Sequence, residues 1–231
     1  MLAGCSMRKP IETAAEQHES AKSYYEQAVN LAKNERYLEA VKFYELIETR
    51  YPFGEFAERA QLEIIYAYYK TNQFNSAEIA ANRFMRLYPT HEKTPYVLYM
   101  RSIALFDASY HFISRYLPVD PAKRDLTGFR KAFESLQELA KRYPESEYSK
   151  EAQQRMVYIR NLMAEREVDI AKFYLDRKSY VAAANRCKYI IEYYSDTPLV
   201  KKAYNLQLQA YEALGLEELA QPVREKIKEL G

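Results

Sequence analysis

The chain has 231 residues, of which 48% are hydrophobic and 5 are glycine, and its 34 basic and 32 acidic side chains give a formal net charge of +2. This is enough chain to bury a sizeable core, and it contains no run of about 18 apolar residues, which argues against an integral membrane protein. Charges of both signs are interleaved along the chain, as on solvated helix faces, and give no electrostatic case for binding DNA or RNA.

Residues 2–5 read Leu2-Ala3-Gly4-Cys5, the form of a bacterial lipobox, in which small and apolar residues end in a cysteine. The pattern predicts that Cys5 carries an S-diacylglycerol and an N-acyl chain, and two or more acyl tails anchor a protein stably to a membrane. Residues 6–19 are predicted to form a polar, flexible tether. With Cys5 acylated, Cys187 has no disulfide partner and is predicted to be a small buried hydrophobe.

One pattern recurs along the chain: an aromatic residue, Ala three places later, a large apolar residue seven further on, and Tyr four beyond that. Its copies are Tyr37-Ala40-Ile47-Tyr51, Phe74-Ala77-Phe84-Tyr88, Phe129-Ala132-Leu139-Tyr143 and Tyr180-Ala183-Ile190-Tyr194, with a weaker fifth around Ala220. Pro52, Pro89 and Pro144 follow the first three copies and would end a helix. The pattern predicts an all-α tetratricopeptide-repeat solenoid of five helix-turn-helix units, about ten helices, stacked into an elongated right-handed superhelix.

The predicted repeats span residues 20–52, 56–89, 95–144, 147–195 and 198–230. Repeats 1 and 2 form an N-terminal pair (20–89), and repeats 4 and 5 form a C-terminal pair (147–230). Repeat 3 contains an inserted loop at residues 111–126, which is either functional or a tolerated insertion. Residues 147–176 lack Gly and Pro and predict one helix of about 45 Å that joins the two pairs.

Catalysis has little support in the sequence. His18, His91 and His111 lack Cys or carboxylate companions at metal-ligand spacing, and no glycine-rich phosphate loop is present. The chain is therefore predicted not to be an enzyme, to hold no metal and to need no cofactor beyond the lipid on Cys5. His91, close behind Pro89, is predicted to organise the turn between repeats.

The first helix of each tetratricopeptide repeat lines the binding groove at its second, fifth, ninth, twelfth and thirteenth positions. These positions predict an aromatic and apolar groove with a basic edge, suited to an extended peptide with aromatic side chains and a free carboxylate. Some of these tyrosines would instead pack between repeats. The predicted groove residues are Lys22, Tyr25, Val29, Ala32 and Lys33 in repeat 1, and Arg59, Leu62, Tyr66, Tyr69 and Lys70 in repeat 2. A Lys and Asn carboxylate clamp at the fifth and ninth positions is absent.

The order of the motifs, with the lipobox, the five repeats and the insertion in the third, resembles the BamD (ComL) family. Members of this family are the lipoprotein subunit of the outer-membrane β-barrel assembly machinery. The resemblance runs from Leu2 to about residue 230 and is weakest in repeats 4 and 5. The strings that carry it are Arg50-Tyr51-Pro52-Phe53-Gly54, Ile65-Tyr66-Ala67-Tyr68-Tyr69-Lys70, Arg83-Phe84-Met85-Arg86-Leu87-Tyr88-Pro89-Thr90-His91 and Arg142-Tyr143-Pro144.

The resemblance implies a scaffold on the outer membrane of a Gram-negative bacterium, lipid-anchored and facing the periplasm. Its N-terminal repeats would bind the aromatic-ending C-terminal signals of unfolded outer-membrane β-barrel proteins, and its C-terminal repeats would dock a POTRA domain of BamA. Other Bam lipoproteins, such as BamC where present, would attach to the same scaffold. Mapped onto this chain, substrate binding falls on Tyr25, Leu62, Tyr66, Tyr69 and Lys70, and partner binding on Asn185 and Arg186.

Two alternatives remain at this point. A different periplasmic tetratricopeptide lipoprotein, coordinating a cell-wall or division enzyme, would share the lipid and the repeats and differ in its partner. A cytosolic scaffold would require the lipobox to be accidental. The partner, rather than the fold, separates the first alternative, and lipidation of Cys5 separates the second.

Overall fold

The computed structural model describes residues 13–114 and 125–230, with only the backbone described for 111–114. This part of the chain forms ten α-helices in five consecutive pairs and no strand, which confirms the predicted tetratricopeptide fold class. The helices are α1 (Ala14–Lys33), α2 (Tyr37–Arg50), α3 (Glu55–Lys70), α4 (Phe74–Leu87), α5 (Thr94–Ser114), α6 (Thr127–Arg142), α7 (Glu147–Asp176), α8 (Tyr180–Tyr193), α9 (Val200–Ala213) and α10 (Glu217–Glu229).

The recurring pattern marks the buried seam of each repeat. All four of its alanines and all four of its large apolar residues are fully buried, because the small Ala lets neighbouring helices approach and the larger side chain fills the space beyond it. Burial of one such large side chain contributes about 1.5–3 kcal/mol relative to leaving it exposed. The eight residues are Ala40, Ala77, Ala132 and Ala183, and Ile47, Phe84, Leu139 and Ile190.

A left-handed residue closes the turn inside repeats 1, 2, 4 and 5. Glu35, Asn72, Lys178 and Gly215 have φ of 59°, 58°, 59° and 70°. The residue after each of them donates its backbone N–H to a carbonyl five residues earlier, as Gln73 does to Tyr68 at 2.9 Å. This Schellman arrangement satisfies the last carbonyls of the first helix.

A tyrosine ends the second helix of repeats 1 to 4. Tyr51, Tyr88 and Tyr143 precede prolines and have φ of −132°, −129° and −135° with ψ of 60°, 64° and 60°. The proline ring excludes helical ψ from the preceding residue, so each helix stops at its tyrosine. Tyr194 ends α8 with φ of −130° although no proline follows.

His91 organises the turn between repeats 2 and 3, as predicted. Its Nε2 lies 3.0 Å from Glu58 Oε1, and its Nδ1 accepts the backbone N–H of Lys93 at 3.0 Å. The imidazole also meets the Phe84 ring edge-on at 5.1 Å. The hydroxyl of Thr94 donates to the His91 carbonyl at 2.6 Å, which fixes the start of α5.

The first helix begins earlier than predicted. A capping box fixes its start: Thr13 Oγ1 accepts the Glu16 N–H at 3.3 Å, and Glu16 Oε2 accepts the Thr13 N–H at 2.7 Å. Residues 14–19, predicted as part of the tether, are therefore helical. Cys5 and the rest of the lipobox lie outside the described residues, as do residues 6–12.

The inserted segment of repeat 3 is also shorter than predicted, since α5 continues to Ser114 and α6 begins at Thr127. Residues 115–124 of the predicted loop lie outside the described residues. Gly128 allows α5 and α6 to approach closely, because a Cβ at that position would lie 2.0 Å from the Ser109 hydroxyl.

The helix α7 spans Glu147–Asp176, the residues predicted for one long helix. The chain divides into two compact halves at the step from Ala104 to Leu105, inside α5. Since α7 lies wholly in the C-terminal half, the prediction that it joins the two halves was wrong, and α5 is the shared helix.

The C-terminal half buries Cys187 in a cluster with Val168, Ala171, Ile190 and Ala203. Burial raises the pKa of the Cys187 thiol to about 12, and the thiol is free. A thiol that remains protonated among aliphatic side chains acts as a small hydrophobe, as the sequence predicted.

Candidate peptide-binding groove and partner surface

The first helices of repeats 1 and 2, α1 and α3, lie side by side in the N-terminal half. Tyr25 of α1 is half-buried, and its ring lies 5.7 Å from Phe56 and 6.3 Å from Tyr44. Rings at these separations attract one another. Tyr25 is therefore held at the seam of the two helices with part of its surface open to solvent.

Tyr66 and Lys70 form the exposed end of the predicted groove. The Tyr66 ring is 37% exposed and meets Tyr37 edge-on at 5.8 Å. Lys70 Nζ lies 5.6 Å from the Tyr37 ring centre and 5.9 Å from that of Tyr66. This cation–π arrangement holds the ammonium beside two aromatic rings, where a peptide carboxylate could reach it.

Leu62 and Tyr69, the remaining predicted groove residues, pack partly into the core of the N-terminal half. The Tyr69 ring contacts Phe74 edge-on at 5.7 Å. The structure thus brings Tyr66 and Lys70 together at the surface and leaves Tyr25, Leu62 and Tyr69 half-buried. The assignment of these five residues to peptide binding remains a prediction.

A pocket of about 250 Å³ opens between the start of α1 and the segment that joins α2 to α3. Four aromatic side chains line it together with one cation, Arg50, and one acid, Glu55. Arg50 Nη1 lies 3.4 Å from the Tyr24 hydroxyl. Phe53, which also lines the pocket, is 89% exposed. The lining residues are Ala14, Gln17, His18, Ala21, Arg50, Tyr51, Pro52, Phe53, Gly54, Glu55 and Phe56.

Phe56 connects this pocket to the predicted groove. Its ring meets His18 in the pocket wall at 5.1 Å and Tyr25 in the groove at 5.7 Å, so one aromatic row runs through both. Gly54, with φ of 97°, supplies the backbone turn that places Phe53 at the rim. The groove positions counted from the repeat missed Phe53 and Phe56. The Arg50-Tyr51-Pro52-Phe53-Gly54 string contains Phe53 and could have indicated it, whereas Phe56 lies beyond the string and had no such signal.

Glu63 places an acidic group on the groove side of α3. Its side chain is exposed to solvent, yet burial among neighbouring protein atoms raises the pKa of its carboxyl. Burial, and after it the charge of Glu63, raises the pKa of Tyr25.

The predicted partner residues lie on α8 in the C-terminal half. Asn185 is exposed, whereas Arg186 is bound within the chain, with its Nη1 2.7 Å from Glu167 Oε2 on α7. The guanidinium also lies 6.0 Å from the Tyr189 ring centre. Arg186 is therefore held in place before any partner binds.

Three large apolar side chains on α8 are exposed around these residues. Val181 is 61% exposed and Tyr193 is 54% exposed, and Tyr193 packs against Tyr189 at 4.7 Å between ring centres. Exposed tyrosines beside an arginine have the composition of protein–protein contact surfaces. The repeat pattern could not reveal Tyr189 and Tyr193, because it describes only the buried seam.

These features define the class of protein: a helical-repeat scaffold that presents an aromatic groove and pocket in one half and an exposed aromatic helix face in the other. Within the described ranges, no helix is both long and apolar enough to cross a membrane.

Comparison with known proteins shows which family of helical-repeat proteins this chain resembles. Residues 17–227 match the YfiO family model, described as an outer membrane lipoprotein. The chain is 37% identical over 194 residues to the outer membrane protein assembly factor BamD of Vibrio cholerae serotype O1, covering 84% of this chain and 80% of that protein. It is 34% identical over 225 residues to BamD of Neisseria meningitidis serogroup A, covering 96% and 84%. A solved tetratricopeptide repeat protein from Parabacteroides merdae aligns with a TM-score of 0.44 and 12% identity, covering 90% and 79%.

The chain belongs to the YfiO (BamD) family of outer membrane lipoproteins. The resemblance seen in the sequence motifs is thereby confirmed. Members of this family are assembly factors by name, and the protein is not an enzyme.

Proposed function

We propose that this protein is a lipid-anchored, periplasm-facing scaffold for the assembly of outer-membrane β-barrel proteins. The observation that carries the proposal is the family match over residues 17–227, with relatives named as outer membrane protein assembly factors. The scaffold acts by binding: its N-terminal half holds a segment of the unfolded barrel protein, and its C-terminal half holds BamA. This role requires no covalent change to the substrate polypeptide.

The N-terminal half supplies the substrate site. An aromatic side chain at the end of a peptide would enter the pocket and pack on Phe56, and Arg50 at the rim would pair with the terminal carboxylate. The chain preceding that residue would extend along the groove past Tyr25 toward Tyr66 and Lys70. Tyrosine walls suit this role, since they offer a large contact area and lose few rotamers on binding.

The outer face of α8 supplies the partner site. Tyr189 and Tyr193 would contribute apolar contact area, and Asn185 would donate and accept hydrogen bonds to the backbone of a POTRA domain of BamA. Arg186 is already oriented by Glu167, so little side-chain entropy is lost when it binds. Other Bam lipoproteins, such as BamC where present, would bind elsewhere on the same chain.

The membrane connection would be the lipid on Cys5. Incorporation of radiolabelled palmitate into the full-length lipoprotein, lost in Cys5→Ala, is the expected result. Labelling that persists in Cys5→Ala would contradict the assignment of the lipid site.

The alternative partner, a cell-wall or division enzyme, is less well supported, because the relatives reported above are named as assembly factors. Crosslinking in cells decides between the two. A photoreactive residue at Tyr66 would report the groove, and one at Asn185 would report α8 without breaking the Arg186–Glu167 pair. The control places the photoreactive residue at Ile79, which is exposed on α4 and is not one of the predicted groove residues.

Capture of unfolded barrel proteins from Tyr66 and of BamA from Asn185, with neither captured from Ile79, is the expected result. A different envelope protein captured from both sites, with no barrel protein and no BamA, would mean that the fold is right and the function wrong.

A further inference from the structure

Three charged residues follow one another along the side of α3 that faces Tyr25. Glu55, Arg59 and Glu63 are spaced at i, i+4 and i+8, so they form one row on the helix surface. Arg59 Nη2 lies 2.6 Å from Glu55 Oε1, so the guanidinium is already paired at one end of the row. Glu63 is left at the other end, nearer the exposed tyrosines.

The next cation along α3 is also engaged. The ammonium of Lys70 lies over the rings of Tyr37 and Tyr66, which neutralise part of its electrostatic field. Among the described residues, the Glu63 carboxylate has no cationic partner. The groove therefore contains an acidic group that the chain itself does not neutralise.

The surroundings of Glu63 strengthen the electrostatic effect of its charge. Protein atoms partly desolvate the carboxylate, and its field reaches the hydroxyl groups of Tyr25 and Tyr44, whose pKa values are raised by burial first and by Glu63 next. A partly desolvated charge interacts more strongly with a ligand than a fully hydrated one does. Tyr25 lies within reach of this field and carries an aromatic ring, and a carboxylate and a ring in one groove suit an ammonium or guanidinium group.

From this arrangement we infer that Glu63 is a specificity-determining residue, which selects peptides carrying a Lys or Arg side chain beside the segment held by Tyr25. The inference rests on the proposed function, since it assigns a preference within the proposed peptide groove. The same carboxylate repels a peptide C-terminus. The terminal carboxylate would be directed toward Arg50 at the pocket, where the Glu55 carboxylate is already paired with Arg59, and the basic side chain of the peptide would lie further along the groove.

The test compares short fluorescent peptides that end in Phe and differ at one position, with Lys in one peptide and the uncharged norleucine in its partner. The position is moved along the peptide, and dissociation constants are measured by fluorescence anisotropy on the full chain. At one position the Lys peptide is expected to bind roughly three- to fivefold more tightly than its norleucine partner. Glu63→Gln is expected to reduce that ratio to about one, as a single lost charge pair would. Glu92→Gln, the same change at an exposed site in the turn before α5, is expected to preserve the ratio.

Equal binding of the Lys and norleucine peptides at every position would overturn the inference and leave the proposed groove intact. A Lys preference that persists in Glu63→Gln would also overturn it. If no Phe-ended peptide binds in any form, the proposed function fails and the inference fails with it. Circular dichroism of each variant confirms that the ten helices are retained.

Discussion

Tyr66 is the most exposed aromatic residue of the predicted groove. Its ring is exposed, and its neighbours Tyr37 and Lys70 hold it in one orientation. Aromatic residues of this kind often dominate a binding interface, because a rigid ring buries much area for little entropy.

Tyr66→Ala is therefore expected to weaken binding of a Phe-ended peptide roughly tenfold, about 1.4 kcal/mol. The thermal unfolding temperature should fall modestly, because the side chain is only 37% exposed and its contacts with Tyr37 and Lys70 would be lost. Ile79→Ala removes an exposed apolar side chain from α4 and serves as the control. Equal affinities for wild type, Tyr66→Ala and Ile79→Ala would place the groove elsewhere.

Glu63 is also expected to affect the stability of the fold. Burial raises the pKa of its carboxyl in the folded state, so the folded protein binds this proton more tightly than the unfolded chain does. The ionised group therefore destabilises the fold above its raised pKa, and the penalty disappears below the ordinary carboxyl pKa.

Glu63→Gln is accordingly expected to raise the free energy of unfolding at neutral pH, with the difference from wild type shrinking as the pH falls through the carboxyl range. Urea unfolding at a series of pH values measures it. Glu92→Gln, at an exposed position, should show no such convergence. A Glu63→Gln curve parallel to wild type across the whole range would show that the carboxyl is not desolvated.

At the scale of single elements, the turns inside the repeats share a backbone shape but not a residue type. Gly215 adopts the left-handed conformation without strain, whereas Glu35, Asn72 and Lys178 adopt it with side chains. A residue other than Gly in the left-handed conformation costs about 1–2 kcal/mol. Replacing it with Gly removes that cost, but the greater entropy of Gly in the unfolded chain offsets part of the gain.

Glu35→Gly is expected to stabilise the N-terminal half by about 0.5–1 kcal/mol, because relief of the left-handed strain exceeds the entropic cost. Gly215→Ala is expected to destabilise the C-terminal half by about 1 kcal/mol. A Cβ at Gly215 meets no atom within 4 Å, so the loss would come from the backbone alone. Urea unfolding measures both changes, and a loss of stability in Glu35→Gly would show that its side chain compensates for the strain.

At the scale of the whole molecule, the division inside α5 separates the proposed peptide site from the proposed partner site. Ile47 and Ile190 occupy the same repeat position, one in each half, and both are fully buried. They form a matched pair for testing whether the halves respond separately.

Ile47→Ala and Ile190→Ala should each lower the free energy of unfolding of their own half by about 2–4 kcal/mol. Under conditions where both variants remain folded, Ile190→Ala should leave peptide affinity unchanged, and Ile47→Ala should weaken it by loosening the packing around α3. Hydrogen exchange followed by mass spectrometry locates the destabilised helices. Loss of protection spread equally over both halves in each variant would show that the molecule unfolds as one cooperative unit.

Much of the fold could be predicted from local signals. The tyrosine and proline at the ends of α2, α4 and α6, the buried alanine and the absence of breakers in residues 147–176 act within one or two turns of helix, so spacing alone predicts them. The two boundary errors had different causes. The Thr13–Glu16 capping box is visible in the sequence, but the polar residues around it favour a tether, whereas no helix-breaking proline follows the start of α5 until Pro118.

The amino-acid sequence by itself determined the repeat, the ten helices, the buried seam and the family, because each depends on residue spacing along one chain. Tertiary structure alone decided the pocket between α1 and the α2–α3 segment, the pairing of Arg186 with Glu167, the desolvation of Glu63 and the division inside α5. These features depend on which side chains meet across neighbouring helices. Helix periodicity predicts the face on which a residue lies, but the residue opposite it is decided only when the helices pack.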